Sequence, residues 1–400
     1  MGSHQVSGGH GHQVIEPSAA AGTGRLDFIR PLRVGVRVPP VAPSPRLRRF
    51  VARCVAAGFD SLWWPDHLMA LSTPALWPDD PPELTALHTY CDPFVAMAAC
   101  GDLPAAVSVG TGVTDAIRRT PAALVQSALT VDWAVPGPVI LGLGAGERAN
   151  YVPYGMSVPS PAAAFDRAAR QIRSLLDSPG PDACGAVLGL RPADPVHPPQ
   201  LWLGAHGPRG LRLTGQVADG WLPTQLGPEE WAAGRSAVIA AAVEAGRDPG
   251  LLACALSMEV VVADSRAEAV ALLAHPVVRA TCLMLPAAAF SRYGVPHPLG
   301  PGGLTALVPT LEGDRIRRAA EAVPDELVRE TVIHGDVADV VAAIGQYRGL
   351  DHVRLSDLGG TVRPGRGGLA RLAAVAAGLR SSRVAPAPSA AGAAGVERSP

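Results

Sequence analysis

Leu141-Gly-Leu-Gly-Ala-Gly-Glu-Arg-Ala-Asn150, running on into Tyr151-Val-Pro-Tyr-Gly155, decides how this chain is read. The segment 139–143 is short and apolar, as a buried strand should be. It stops at a run of glycines, which lets a backbone approach something flat or phosphorylated. Glu147, Arg148, Asn150 and Tyr151 follow at once. Polar groups just past the carboxyl end of a strand are where α/β proteins place their chemistry. A glycine-rich strand-to-helix turn can equally be only a turn, so the weight falls on how the other strands end.

Outward from this stretch, strand and helix alternate in both directions. Apolar, β-branched segments at 32–38, 61–64, 105–110, 139–143, 200–204, 219–222, 252–262 and 352–355 read as strands. Amphipathic or capped segments at 45–57, 93–100, 122–133, 162–176, 228–245 and 265–273 read as helices between them. Thr120 followed by Pro121 is a helix cap with proline at the first helical position. Asp336, with Asp339 three residues on, has the pattern of a capping box. Eight alternating units imply parallel strands closed into a (β/α)8 TIM barrel; a doubly wound open sheet would need fewer. Residues 280–325 fit no unit and read as an insertion over the carboxyl-end mouth. The barrel then spans 31–380. Gly, Ser, Ala and His dominate 1–30, and Ala, Pro and Ser dominate 384–400; both read as disordered tails, in which His4, His10 and His12 carry no structural role.

Composition excludes several function classes. The hydrophobic fraction of 48% supplies an ample core, and the net charge of −1 offers no electrostatic footprint for nucleic acid or a membrane surface. Every basic residue counted among the 34 is arginine. Cys54, Cys91, Cys100, Cys184, Cys254 and Cys282 are scattered without metal-ligand spacing, so no metal site and a reducing, cytoplasmic setting are expected. No apolar run approaches the roughly 18 residues of a membrane span, and the amino terminus has no signal-peptide core.

Four strand ends share the character of the opening stretch: Trp64-Pro-Asp-His67, Gly110-Thr-Gly-Val-Thr-Asp115, Gly144-Ala-Gly-Glu147 with Asn150, and Gly204-Ala-His-Gly-Pro208. In a barrel these ends meet on one rim. His67 is either a loop histidine bonded to its own turn or a proton donor near neutral pH. Asp66 is a helix cap or the group that fixes the His67 tautomer. Thr114 and Asp115 lie in a plain loop or bond the polar edge of a planar ring. The amides after Gly207 start a helix and suit an anion such as phosphate, although Pro208 donates none. Trp63 and Trp64 read as core.

At these residues the chain resembles the bacterial luciferase-like superfamily, and within it the branch that uses the deazaflavin coenzyme F420. The resemblance rests on Gly58-Phe-Asp-Ser-Leu-Trp-Trp-Pro-Asp-His67, Gly110-Thr-Gly-Val-Thr-Asp-Ala-Ile-Arg-Arg-Thr-Pro121, the opening stretch to Gly155, and Trp202-Leu-Gly-Ala-His-Gly-Pro208 through Ala218-Asp-Gly-Trp221. Arg292-Tyr-Gly-Val-Pro-His-Pro-Leu-Gly300 resembles phthiodiolone ketoreductases, and the whole is also similar to methylenetetrahydromethanopterin-reductase-like enzymes. The resemblance implies a barrel with F420 in its mouth, Asp66 and His67 approaching the ring, and a cis Gly112–Val113 peptide backing it. Gly112 departs from relatives that carry a side chain there. Thr114 is implied as a ring contact, Glu147 and Asn150 as polar groups at the reacting face, and Ala205, His206 and Gly207 as part of the segment receiving the phosphate-bearing tail. His67 or Glu147 would then supply a proton while hydride passes to a carbonyl or conjugated double bond. Loops 68–90 and 280–325 would wall an apolar small-molecule pocket, and a homodimer is the expected assembly. Two other readings stand beside it: a flavin mononucleotide (FMN)-dependent monooxygenase, and a non-catalytic cofactor-binding barrel. The joint presence of Asp66, His67, Glu147 and Asn150 argues against the last.

Overall fold

The computed structural model describes residues 31–79, 87–178, 180–181 and 185–384. The expected tails at 1–30 and 384–400 lie outside the described residues, apart from Val384, and so do Cys184 and part of the 68–90 loop. The described residues form ten parallel strands: β1 (Arg33–Arg37), β2 (Ser61–Trp64), β3 (Ser108–Thr111), β4 (Thr114–Asp115), β5 (Val139–Gly144), β6 (Gln200–Leu203), β7 (Gly220–Trp221), β8 (Ala253–Val262), β9 (Ile333–Gly335) and β10 (His352–Asp357). β1 pairs with both β2 and β10, and β10 pairs with β8, so the ring β1-β2-β3-β5-β6-β7-β8-β10 closes on itself. This is the (β/α)8 TIM barrel, with strand and helix alternating around it.

β4 and β9 lie outside the ring. β4 pairs with the end of β5 and follows the Gly112–Val113 turn; β9 extends alongside the far end of β8. Thr114-Asp115 and Ile333-His-Gly335 are polar or mixed and form no apolar run, which is why the sequence reading does not contain them. β3 also starts at Ser108 rather than 105, because Val107 N–H turns back onto the Pro104 carbonyl at 2.9 Å.

Each ring strand alternates between outward and inward side chains. Outward residues such as Val34, Leu62, Trp64, Val109, Leu141 and Leu203 pack under the surrounding helices. Those helices start where the sequence provides for it. Ser44, Thr120 and Ser160 each accept an amide at the start of a helix that opens with proline, and Asp336 and Asp339 form the expected capping box.

The inward face is filled by two indoles. The Trp63 and Trp202 ring centroids are 5.6 Å apart, and the His352 ring stands edge-on to both. Such bulk in a narrow barrel needs glycine opposite. A Cβ at Gly35 would lie 2.1 Å from Ser61 Oγ, and one at Gly220 would lie 2.5 Å from the Trp202 ring. Ile140, Leu222 and Ala255 complete a dry plug. Trp63 Nε1 donates to Ser61 Oγ at 2.7 Å, and Ser61 Oγ meets His352 Nε2 at 2.7 Å. Burial pushes His352 down to about 3, so its ring is neutral.

Between β8 and β9 a set of short helices, among them Pro276–Thr281, Ala287–Ser291, Gly313–Glu321 and Asp325–Thr331, forms a second apolar core around Phe290, Ile316 and Leu327. Among the described residues no single helix is long and apolar enough to cross a membrane.

Candidate active site

β2 delivers Asp66 and His67 to the carboxyl-end rim, and the two do different things. Asp66 is 5% exposed. It accepts from Thr114 Oγ1 at 2.6 Å and pairs with Arg118 Nη2 at 3.0 Å and Arg119 Nε at 3.5 Å. Arg118 also binds Asp115 and donates to the Asp66 carbonyl at 2.7 Å. Asp66 is thus tied into the turn after β3, and the proton of the Thr114 hydroxyl points to it rather than into the mouth. Neither side chain orients His67.

Asn150 does that instead. Its Oδ1 accepts the Leu68 and Met69 amides at 2.7 and 3.0 Å, which fixes the orientation of the amide. Its Nδ2 therefore faces His67 Nδ1 at 2.8 Å and Glu147 Oε2 at 3.2 Å. An amide nitrogen only donates, so His67 Nδ1 accepts and the neutral ring carries its proton on Nε2. Glu147 Oε2 lies 3.3 Å from the same Nδ1. A charged imidazole could turn its Nδ1–H to that carboxylate. β2 and β5 thereby bring His67 to Asn150, 83 residues on in the chain, and to its near neighbour Glu147.

The wall beside them carries few side chains. The Gly112–Val113 peptide is cis, as the resemblance implies. Val113 sits among glycines: a Cβ would lie 3.3 Å from it at Gly142, 2.8 Å at Gly144 and 3.5 Å at Gly204. Gly112, Val113, Gly144 and Gly204 all face one cavity of about 1600 Å³, together with His67, Glu147 and Asn150. Its other side is lined by Leu76, Trp77, Val277, Met284, Leu285 and Leu304 from the loop after β2 and the helices before β9.

The β6 end divides. Gly204 and His206 face the cavity. Ala205 is buried, its carbonyl held by Trp221 Nε1 at 2.8 Å, and Gly207 caps the helix Pro208–Val217 beyond the wall.

Three residues in the mouth are absent from the sequence reading. Tyr90 stacks edge-on to His67 at 5.2 Å and hydrogen-bonds Arg37; burial raises its phenol, against the pull of Arg37. Arg37 and Arg354 enter from β1 and β10, and both line the cavity. The available signal is period two: His352, Arg354 and Ser356 alternate with the apolar Val353 and Leu355.

A family model described as luciferase-like monooxygenase matches residues 30–351. The chain belongs to the luciferase-like monooxygenase family. Within it, a phthiodiolone/phenolphthiodiolone dimycocerosates ketoreductase of Mycobacterium tuberculosis is 32% identical over 364 residues, covering 85% of this chain and 93% of the relative. Two solved structures share the fold. An F420-dependent secondary alcohol dehydrogenase in complex with an F420-acetone adduct has a TM-score of 0.67 at 20% identity, covering 87% of this chain and 99% of the other. The coenzyme F420-dependent tetrahydromethanopterin reductase from Methanopyrus kandleri has a TM-score of 0.65 at 17% identity, covering 88% and 99%.

Proposed function

We propose that this family member is a coenzyme F420-dependent oxidoreductase that passes hydride between the deazaflavin and a carbonyl or conjugated double bond of an apolar small molecule. The observation that carries it is the His67–Asn150–Glu147 arrangement beside a wall of glycines and Val113. The wall suits a planar ring, because any side chain at Gly144 would crowd Val113 at 2.8 Å. The coenzyme supplies a hydride donor in which carbon replaces the flavin N5. The protein's own groups supply the rest. Val113 and the cis peptide back the ring, and the His206 segment takes the phosphate-bearing tail. Leu76, Trp77, Met284 and Leu285 exclude water and hold apolar substrate. His67 hydrogen-bonds a substrate oxygen through Nε2–H, and Glu147 stabilises the ring when it is charged. The names of the ketoreductase and of the two F420-dependent neighbours agree with this reading.

Titration of the purified protein with F420 and with FMN, followed by fluorescence, tests it. F420 is expected to bind roughly tenfold or more tightly, about 1.4 kcal/mol. Equal affinities, or tight binding of FMN alone, return the chain to flavin chemistry.

A further inference from the structure

Arg354 has no role in the chemistry above, yet it lies at the floor of the mouth. Register places it opposite Gly35 on β1 and Ser257 on β8, one inward layer above the His352 plug. It is 7% exposed, and it lines the cavity. Nη1 donates to the Gly112 carbonyl, and Nε has no partner. A Cβ at residue 112 would lie 2.5 Å from Nη1, so the missing side chain and the guanidinium go together. Glu259 on β8 attracts it and Arg37 on β1 repels it, but among the described residues it forms no ion pair. Burial brings it down to about 10, which leaves it charged at neutral pH.

A buried cation without a dedicated counter-ion is strongly unfavourable. A prop for one carbonyl does not need that charge, because a neutral donor would serve. Something that binds beside Gly112 and becomes negative would use it. Hydride carries two electrons and one proton, so a ring that gains hydride becomes more negative by one charge.

We infer that Arg354 is a redox-tuning residue: its charge, held beside the Gly112–Val113 peptide, favours the reduced coenzyme over the oxidised one. This rests on the coenzyme reading proposed above. It acts on the equilibrium between the two forms and carries no proton or hydride itself.

The test is the Kd of oxidised and of reduced F420, measured anaerobically by equilibrium dialysis for wild type, Arg354→Lys and Arg354→Met. Wild type is expected to prefer the reduced form roughly tenfold, which raises the midpoint potential of the bound two-electron couple by about 30 mV. Arg354→Lys keeps most of that ratio and Arg354→Met loses it. A ratio unchanged in Arg354→Met overturns the inference. So does an equal loss of affinity for both forms, which would make Arg354 a support for the Gly112 carbonyl. Should Arg354→Met fail to fold, the wild-type potential decides: a bound couple no higher than the free one overturns it. Failure of wild type to bind either form overturns the coenzyme reading, and this inference with it. Binding without preference overturns this inference alone.

Discussion

At the scale of single residues the site is a division of labour between two neighbours. Asp66 is spent on Thr114, Arg118 and Arg119, whereas His67 is held by Asn150 and Glu147. His67→Ala is therefore expected to lower turnover by roughly 10²-fold or more, the usual scale for a lost general acid or hydrogen-bond donor. Coenzyme affinity should change far less. Glu147→Gln should have the smaller effect, since an amide still faces Nδ1. Single-turnover oxidation of reduced coenzyme by a ketone reads both variants. Hydride transfer near wild-type rate in His67→Ala would move the role to Glu147 or to water. His67, Glu147 and Asn150 were legible in the sequence because each follows a strand within a few residues. Asn150 as the residue that fixes the His67 tautomer was not, because the Leu68 and Met69 amides that pin it lie 82 and 81 residues away. Arg37 and Arg354 escaped for a related reason, while Tyr90 lies between elements, where no period applies. One charged residue in a short strand signals nothing until the neighbouring strands show which face is inside.

At the scale of elements, local signals were read well and partner-dependent ones poorly. Capping at Thr120 and Asp336 is a matter of a few consecutive residues, and both caps are present. β4 and β9 exist only because β5 and β8 offer them edges. The inward stripe of β10 has an energetic consequence that follows from its burial. His352 is held down at about 3 against an ordinary value of 6.5, first by burial and then by Arg33. A lowered histidine is neutral when folded but takes up a proton when unfolded below about 6.5. Its contribution is therefore fully present above that pH and is lost as pH falls toward about 3. At pH 4.5 the loss amounts to about 2 to 3 kcal/mol relative to pH 7. Urea unfolding at the two pH values measures it, and His352→Gln should show a smaller difference. Parallel losses in the two proteins would place the acid sensitivity elsewhere.

At the scale of the whole molecule, the barrel was legible because eight strand–helix units can close in few other ways. The second core around Phe290, Ile316 and Leu327 was less so, since helices that pack on one another leave no strand period to follow. Of the plug of Trp63, Trp202, Ile140, Leu222 and Ala255 only Trp63 was legible, as a core residue, because the plug is assembled from four strands and the residue after a fifth, and is tolerated by glycines facing it. That plug makes the barrel a vessel closed beneath the cavity. Whatever lies nearer its bottom must be loaded first and unloaded last. On the coenzyme reading proposed above, with the ring on the glycine wall and substrate against the apolar helices, traffic would be ordered: coenzyme in, substrate in, product out, coenzyme out. A product analogue is then a stopper, and stopped-flow displacement should find bound F420 leaving several-fold more slowly in its presence. An unchanged release rate would mean that the vessel has a second door.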